Sequence, residues 1–306
     1  MANSDVLDKK ALDSATRYMG GVAWLTIVYA LLVSTSYLAV VAMALIGTLS
    51  LALAVPLVSV LTYFNYTVLH ESAHGSISGG RQSMRWVNEA LGYLAAWILM
   101  IPLTAHRFEH MAHHRHTNDS SADPDFHIGQ MRNSLPAAVS ATVRAMVRQF
   151  TYYRTNRWAS AAWRQNLVLC VEIAAALLPR IAIMAAGYWV EGLALFVLAW
   201  LLGATLLLYL FAYIVHRPHE AAGRYVNTST ILPPHWLKTP VTWLWVFQNY
   251  HSIHHLYPRV PFYKYAALYE DIEDILAAKG APVYRLTSGG LEARNQRATA
   301  GAEHRV

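Results

Sequence analysis

The sequence is short of charge and almost without cysteine. Only 14% of its 306 residues are Asp, Glu, Lys or Arg, against 55% that are hydrophobic. Soluble domains carry about 25% charged residues and roughly 45–50% apolar ones. This balance excludes a disordered chain and a typical nucleic-acid binder. The single cysteine, Cys170, excludes an intramolecular disulfide framework. It sits in an apolar run and reads as inert core rather than as a reactive thiol. Charge is missing altogether over residues 21–69, which hold no Asp, Glu, Lys, Arg or His. A membrane helix needs about 20 apolar residues, so this stretch fits two spans with a tight turn near Gly47. It far exceeds a signal-peptide h-region of about 7–15 residues, and a long segment of mixed charge precedes it.

A second apolar pair follows. Leu167–Trp189 is apolar apart from Glu172 and Arg180, and Gly192–Val215 carries no charge, with Glu191 marking the turn between them. Charges inside a span are costly, so Glu172 and Arg180 are expected to face protein, water or an interface, without a catalytic role. Two hairpins bring the N-terminus, residues 71–165 and the C-terminal part to one side. That middle segment holds ten arginines, among them Arg107, Arg144, Arg148, Arg154 and Arg164. The positive-inside rule therefore places this side in the cytoplasm, and the net charge of +6 is read as cytoplasmic arginine facing anionic headgroups. Trp86–Ala105 is interrupted by Asn88, Glu89, Gly92 and Pro102 and reads as a re-entrant or surface-lying helix. Ala137–Trp163 mixes arginine with aromatics, the pattern of an interfacial amphipathic helix. Leu286–Val306 reads as a mobile polar tail. The expected architecture is one all-α integral membrane domain over residues 1–306, with four spans and a cytoplasmic helical cap.

What the sequence has in excess is histidine, 15 in all beside 18 acidic residues. His70 and His74 stand at i and i+4 on the cytoplasmic end of the second span. His110, His113 and His114 form a His-x-x-His-His group, and His251, His254 and His255 repeat it. Such spacings put imidazoles on one helix face, where they can reach one metal. His216 ends the fourth span. A lone histidine at a helix end is ordinarily structural, and one such group could arise by chance. Three groups beside helix ends on one membrane face exceed coincidence. Eight or nine imidazoles also exceed one tetrahedral zinc site, with four ligands at most. Two metals with four or five nitrogens each would use them. Imidazole suits zinc, copper, iron and nickel alike, so spacing does not name the metal. A site at the membrane surface suits an apolar substrate and redox chemistry.

The three boxes resemble those of the membrane-bound fatty acid desaturase and hydroxylase superfamily. Closer strings resemble its bacterial β-carotene hydroxylase branch: His113-His114-Arg115-His116 with Asp123-Pro124-Asp125, His216-Arg217-Pro218-His219, and Gln248-Asn249-Tyr250-His251 through Tyr257-Pro258. The similarity runs from about Thr67 to Tyr265. It implies four spans, a cytoplasmic cap and two non-haem irons with dioxygen as co-substrate. It also implies ligation by His70, His74, His110, His113, His114, His251, His254 and His255, with His216 as an extra ligand. Asn249 is expected to orient a ligand or a metal-bound water, or else to cap a turn. Asp119, Asp123 and Asp125 are expected to accept the free N–H of ligand histidines, although Asp-Pro-Asp is also an ordinary turn sequence. His106, His116 and His219 are read as structural or supporting, and His127, His235 and His304 as solvated or capping.

The expected activity is oxidation of unactivated C–H bonds in a long apolar lipid, as carotenoid ring hydroxylation or, alternatively, fatty acyl-lipid desaturation. No flavin or dinucleotide fingerprint is evident, so electrons are expected from a separate carrier such as a ferredoxin on the basic face. The expected location is the bacterial inner membrane, with both termini cytoplasmic. Trp86, Trp97, Trp236, Trp243 and Trp245 are candidates for a substrate slot or, more plainly, for an aromatic belt. A rival from another class exists: His70-Glu71-Ser72-Ala73-His74 satisfies His-Glu-x-x-His, two zinc ligands and a glutamate base. An intramembrane protease would leave the other six box histidines unexplained. A metal transporter would need polar groups along its spans that this sequence lacks.

Overall fold

A computed structural model describes residues 2–131 and 134–294. Among these residues four helices are long and apolar enough to cross a membrane. After an N-terminal helix α1 (Ala2–Thr16), the first pair is α2 (Trp24–Leu45) and α3 (Leu51–His74). The turn between them passes through Gly47 at φ +77°, a left-handed conformation that glycine adopts without steric cost. Then come α4 (Arg85–Leu99), α5 (Leu103–His116) and α6 (Leu135–Asn156). The second pair of spans is α7 (Trp163–Ala185) and α8 (Trp189–Tyr213). Their turn lies at Ala186–Tyr188, and Glu191 falls in the first turn of α8, where a carboxylate suits the helix dipole. The cap is completed by α9 (Lys238–Leu244), α10 (His251–Leu256) and α11 (Tyr265–Ala278).

The spans are held by close helix approach. A Cβ on Gly203 of α8 would stand 2.5 Å from the Ser59 carbonyl of α3, and one on Gly92 of α4 would meet the Ser72 hydroxyl. Without a hydrophobic force between helices in lipid, such small-residue contacts supply the packing. Asn88 of α4 adds a buried donor to the Ser72 carbonyl at 3.1 Å. These contacts seat α4 against the histidine-bearing end of α3.

The α4–α5 segment is an elbow with helix axes at 96°, consistent with the re-entrant reading. Met100 is left-handed (φ 55°), and Pro102 precedes the first residue of α5. A broken helix at membrane depth leaves backbone groups that must be satisfied internally. The two unexpected charges of α7 do this. Arg180 donates to the carbonyls of Trp97 (2.9 Å) and Ile98 (3.4 Å) at the end of α4, with its guanidinium 4.5 Å from the Trp97 ring centre. Glu172 accepts from the Thr104 amide at the start of α5 (3.2 Å). Each charge meets the helix end of opposite dipole sign.

Three features depart from the sequence reading. The chain is not wholly helical: β1 (Thr230–Leu232) pairs in parallel with β2 (Val283–Thr287), which pairs antiparallel with β3 (Gly290–Ala293). Ile231 stands opposite Tyr284, and Arg285 opposite Glu292. Residues 286–293 are therefore part of a small sheet rather than of a polar tail; the rest of that segment, from residue 295, lies outside the described residues. Cys170 is exposed on α7 rather than buried, and α7 is a lipid-facing span. Hydrophobicity in a bilayer marks lipid contact as readily as core, so the apolar run did not settle its position.

Candidate metal centre

Each histidine group sits where a helix ends at the cap. The dipeptides His113-His114 and His254-His255 explain the arrangement. Adjacent residues on a helix diverge by about 100°, so the two imidazoles of each pair aim at different points. His70, His74, His110, His114 and His254 form one group, and His113, His216 and His255 another; within each, one nitrogen per residue lies within 4.8 Å of the others. His110 and His114, at i and i+4, join the first; His113, between them, joins the second.

The nitrogen spacings identify what these rings suit. In the first group the Nε2 atoms run His74–His110 at 2.9 Å, His110–His114 at 3.1 Å and His114–His254 at 2.9 Å. In the second, His216 Nε2 lies 2.9 Å from His113 Nε2 and 3.3 Å from His255 Nε2. Two nitrogens bound to one metal at about 2.1 Å would stand roughly 3.0–3.4 Å apart. His70 makes the case sharpest: it is fully buried, and neither ring nitrogen has a hydrogen-bond partner. Leaving a buried polar atom unpaired costs about 1–3 kcal/mol, and an imidazole in such a cluster is relieved by a metal. The donor set fits.

The outer nitrogens are held as ligands require. His113 Nδ1 is 2.9 Å from Asp123 Oδ1, His251 Nδ1 is 2.8 Å from Gln248 Oε1, and His254 Nδ1 is 2.9 Å from the Tyr265 hydroxyl. His255 Nδ1 faces Thr117 Oγ1 at 3.3 Å, and His216 Nδ1 donates to the Ala212 carbonyl. Such partners fix the tautomer and leave Nε2 free to ligate, as they would for a bound metal. Burial, then neighbouring imidazoles, holds His110, His114, His254 and His255 well below the ordinary 6.5. Burial brings His216 down to about 3. These rings are neutral at pH 7, the form that ligates. Burial also pushes His113 down, but its hydrogen bond to Asp123 and the charges of Asp123 and Asp125 outweigh that and raise it.

The remaining candidates are placed as follows. His251 has its ring centre 4.8 Å from those of His216 and His255, at the side of the second group. Asp125 lies 3.8 Å from His113 Nδ1. Asp119 is turned away, its carboxylate accepting from the Ser121 and Ala122 amides. Asn249 is buried but donates to the Ile231 carbonyl and the Thr242 hydroxyl, tying the turn before α10 to the sheet and to α9. His106 stacks on His110 and meets Gln149 through Nδ1. Three supporting groups escaped the sequence reading: Gln248, Thr117 and Tyr265. Gln248 precedes His251 by three residues, a spacing that shares a helix face and could have flagged it.

A small cavity of about 70 Å³ adjoins the second group, lined by Tyr66, Ile101, Met146, Phe211, His216 and His251, with Glu109 and Asp125 also on its wall. Phe211 and Ala212 reach it from a π-helical stretch, Leu208–Tyr213, a feature frequent at functional sites. Among the described residues no tryptophan lines it. Trp86 and Trp236 are exposed, and Trp97 and Trp245 donate to the Ala175 and Leu210 carbonyls.

Asp123 offers a direct test of the outer contacts. Asp123→Asn keeps the shape but weakens the acceptor at His113. Metal affinity, measured by competition with a chelator, is expected to fall about 10–100-fold. Asp119→Asn, which touches no histidine, is expected to leave it unchanged.

Four helices able to span a membrane carry a cap with two imidazole clusters, each of which could hold a metal ion. The family model described as fatty acid desaturase matches residues 46–287. The chain belongs to that family and is an oxidoreductase. It is 28% identical over 208 residues to a beta-carotene ketolase of Paracoccus sp. (strain N81106 / MBIC 01143), covering 65% of this chain and 71% of that protein. It is 25% identical over 239 residues to an sn-1 oleoyl-lipid 12-desaturase of Anabaena variabilis, covering 68% and 65%. The protease reading falls with this: the Glu71 carboxylate accepts from the Phe262 amide and the Tyr265 hydroxyl, both at 3.4 Å, and so braces the third box.

Proposed function

We propose that this protein is a di-iron membrane oxygenase that oxidises ring C–H bonds of a carotenoid. The observation that carries the reading is the pair of imidazole clusters beside a cavity whose other wall includes Ile101, Met146, Leu207 and Phe211. Two irons bound there supply the activation of dioxygen that C–H cleavage requires. His70, His74, His110, His114 and His254 hold one, and His113, His216, His255 and His251 the other. Asp123, Tyr265 and Gln248 orient their rings. Ile101, Met146 and Phe211 keep water from the reacting carbon and present it by apolar contact. Burial, then Asp125, holds Glu109 at the cavity wall well above the usual carboxylate range.

Electrons are supplied by an external acidic carrier, a ferredoxin, with exposed Arg144, Arg148 and Arg154 as its electrostatic target. That arginine surface supports a cytoplasmic active site in a bacterial inner membrane. The resemblance to the 12-desaturase favours one second reading, acyl-lipid desaturation. Both start by removing hydrogen from carbon and differ in substrate placement. Expression in cells accumulating β-carotene, with chromatography of pigments and fatty acids, tests both. A new oxygenated carotenoid is the expected result; altered acyl unsaturation with unchanged pigment would replace it with the second reading. Purified protein is expected to hold two irons per chain.

A further inference from the structure

Beside the elbow lies a second, larger cavity of about 580 Å³ that the metal centre does not use. Its walls are α4, the elbow, Phe150 of α6 and the face of α7 that carries Val168 and Val171, with Tyr93, Trp97 and Met100 among the lining. The lining is apolar but for the Tyr93 hydroxyl and Glu172, and Glu172 is engaged by the Thr104 amide. Val168 and Val171 are exposed on a span, so the cavity opens sideways to lipid.

Its inner wall is one residue thick. Met100 and Pro102 face this cavity, while Ile101 between them lines the metal-side cavity. On α6, Phe150 faces this cavity and Met146, one turn earlier on the same helix face, lines the other. Ile101 and Met146 pack in one apolar cluster. Methionine is unbranched and readily changes rotamer.

We propose that this chamber is a lateral entrance, where the hydrocarbon body of a bilayer-dissolved substrate lies while its end passes Ile101 and Met146 to the metals. The inference rests on the oxygenase reading for what happens to that end, but not for the binding itself. Volume favours it: the metal-side cavity of about 70 Å³ is too small for the body of a long lipid, whereas the chamber is of the size that holds a lipid-like ligand. Continuity with the lipid-facing surface of α7 names the occupant as a hydrocarbon drawn from the bilayer.

The test uses the full chain in lipid nanodiscs containing a hexadecyl chain with a terminal diazirine, photolysed and mapped by peptide mass spectrometry. Label is expected at Ile101 and Met146 as well as along α7. Val171→Trp and Val168→Trp, which fill the chamber from exposed positions, are expected to cut labelling at Ile101 and Met146 by about tenfold. Leu178→Trp, exposed on α7 but outside the lining, is expected to leave it unchanged. Val171→Ala guards against a folding defect and is expected to label at least as well as wild type. Undiminished labelling of Ile101 and Met146 in both filling variants, or none in wild type, would overturn the entrance. Labelling needs no turnover, so a protein that labels as expected but oxidises no carotenoid retains the entrance and loses the proposed activity.

Discussion

Replacing His113 with alanine is expected to lower turnover more than about 100-fold, beyond the loss from a supporting residue, and to reduce bound metal toward one ion per chain. His113 holds a singular position. Its Nε2 lies 2.9 Å from His216 Nε2, and its Nδ1 takes the Asp123 carboxylate. Removing it takes a donor from the second group, which has three close nitrogens. The first group, with five, keeps its own, including the neighbouring His114. A single-metal protein with little turnover is therefore the expected product. His235→Ala, at an exposed position with no ring contact to the clusters, is the control and is expected to match wild type. Metal analysis beside turnover separates the possibilities. A His113→Ala variant that keeps two ions and full turnover would remove the second cluster from the chemistry.

How much of this was readable in advance differs by element. The spans were legible because lipid imposes a length and a near absence of charge on whole helices. The boxes were legible because i, i+3 and i+4 place side chains on a face whatever the tertiary structure. The division of His113 from His114, and of His254 from His255, follows from helix geometry as well. What brings α5 and α10 to the same point does not follow, since that depends on packing between remote segments. Asp119 and Asp123 make the contrast plain. They are chemically alike and four residues apart, yet one caps a turn and the other reaches His113. Backbone direction after the α5 terminus decides between them, and no spacing rule reads it. The sheet was missed because β1 has three residues and pairs with a strand more than fifty positions away. Glu172 and Arg180 were legible as anomalies; their partners were not.

Those partners make Arg180 the other position of large expected effect. Charge within a span is costly, up to roughly 2.5–3.5 kcal/mol for insertion at the centre, so Arg180, in the last third of α7, requires an offsetting gain. The gain lies at the end of α4. Arg180 donates to the Trp97 and Ile98 carbonyls and stacks on the Trp97 ring, and Trp200 donates to the Leu99 carbonyl beside them. Together these close the carbonyl end of a helix that stops inside the protein. Arg180→Leu leaves the Trp97 and Ile98 carbonyls without this partner. A hydrogen bond to a charged group contributes about 1.5–3 kcal/mol, so a loss of roughly 2–5 kcal/mol is expected, read as a lower thermal midpoint in detergent. Arg180→Lys is expected to recover only part of it, because one ammonium cannot serve two carbonyls and lie flat on an indole. The elbow also sets Ile101 against the metal-side cavity, so turnover is expected to fall in Arg180→Leu while bound metal stays at the wild-type level. Glu172→Gln retains an acceptor for the Thr104 amide and is expected to do little. If Arg180→Leu melts like wild type, the guanidinium is not what holds the break in the helix, and the elbow must be secured by the Trp97 and Trp200 indoles alone.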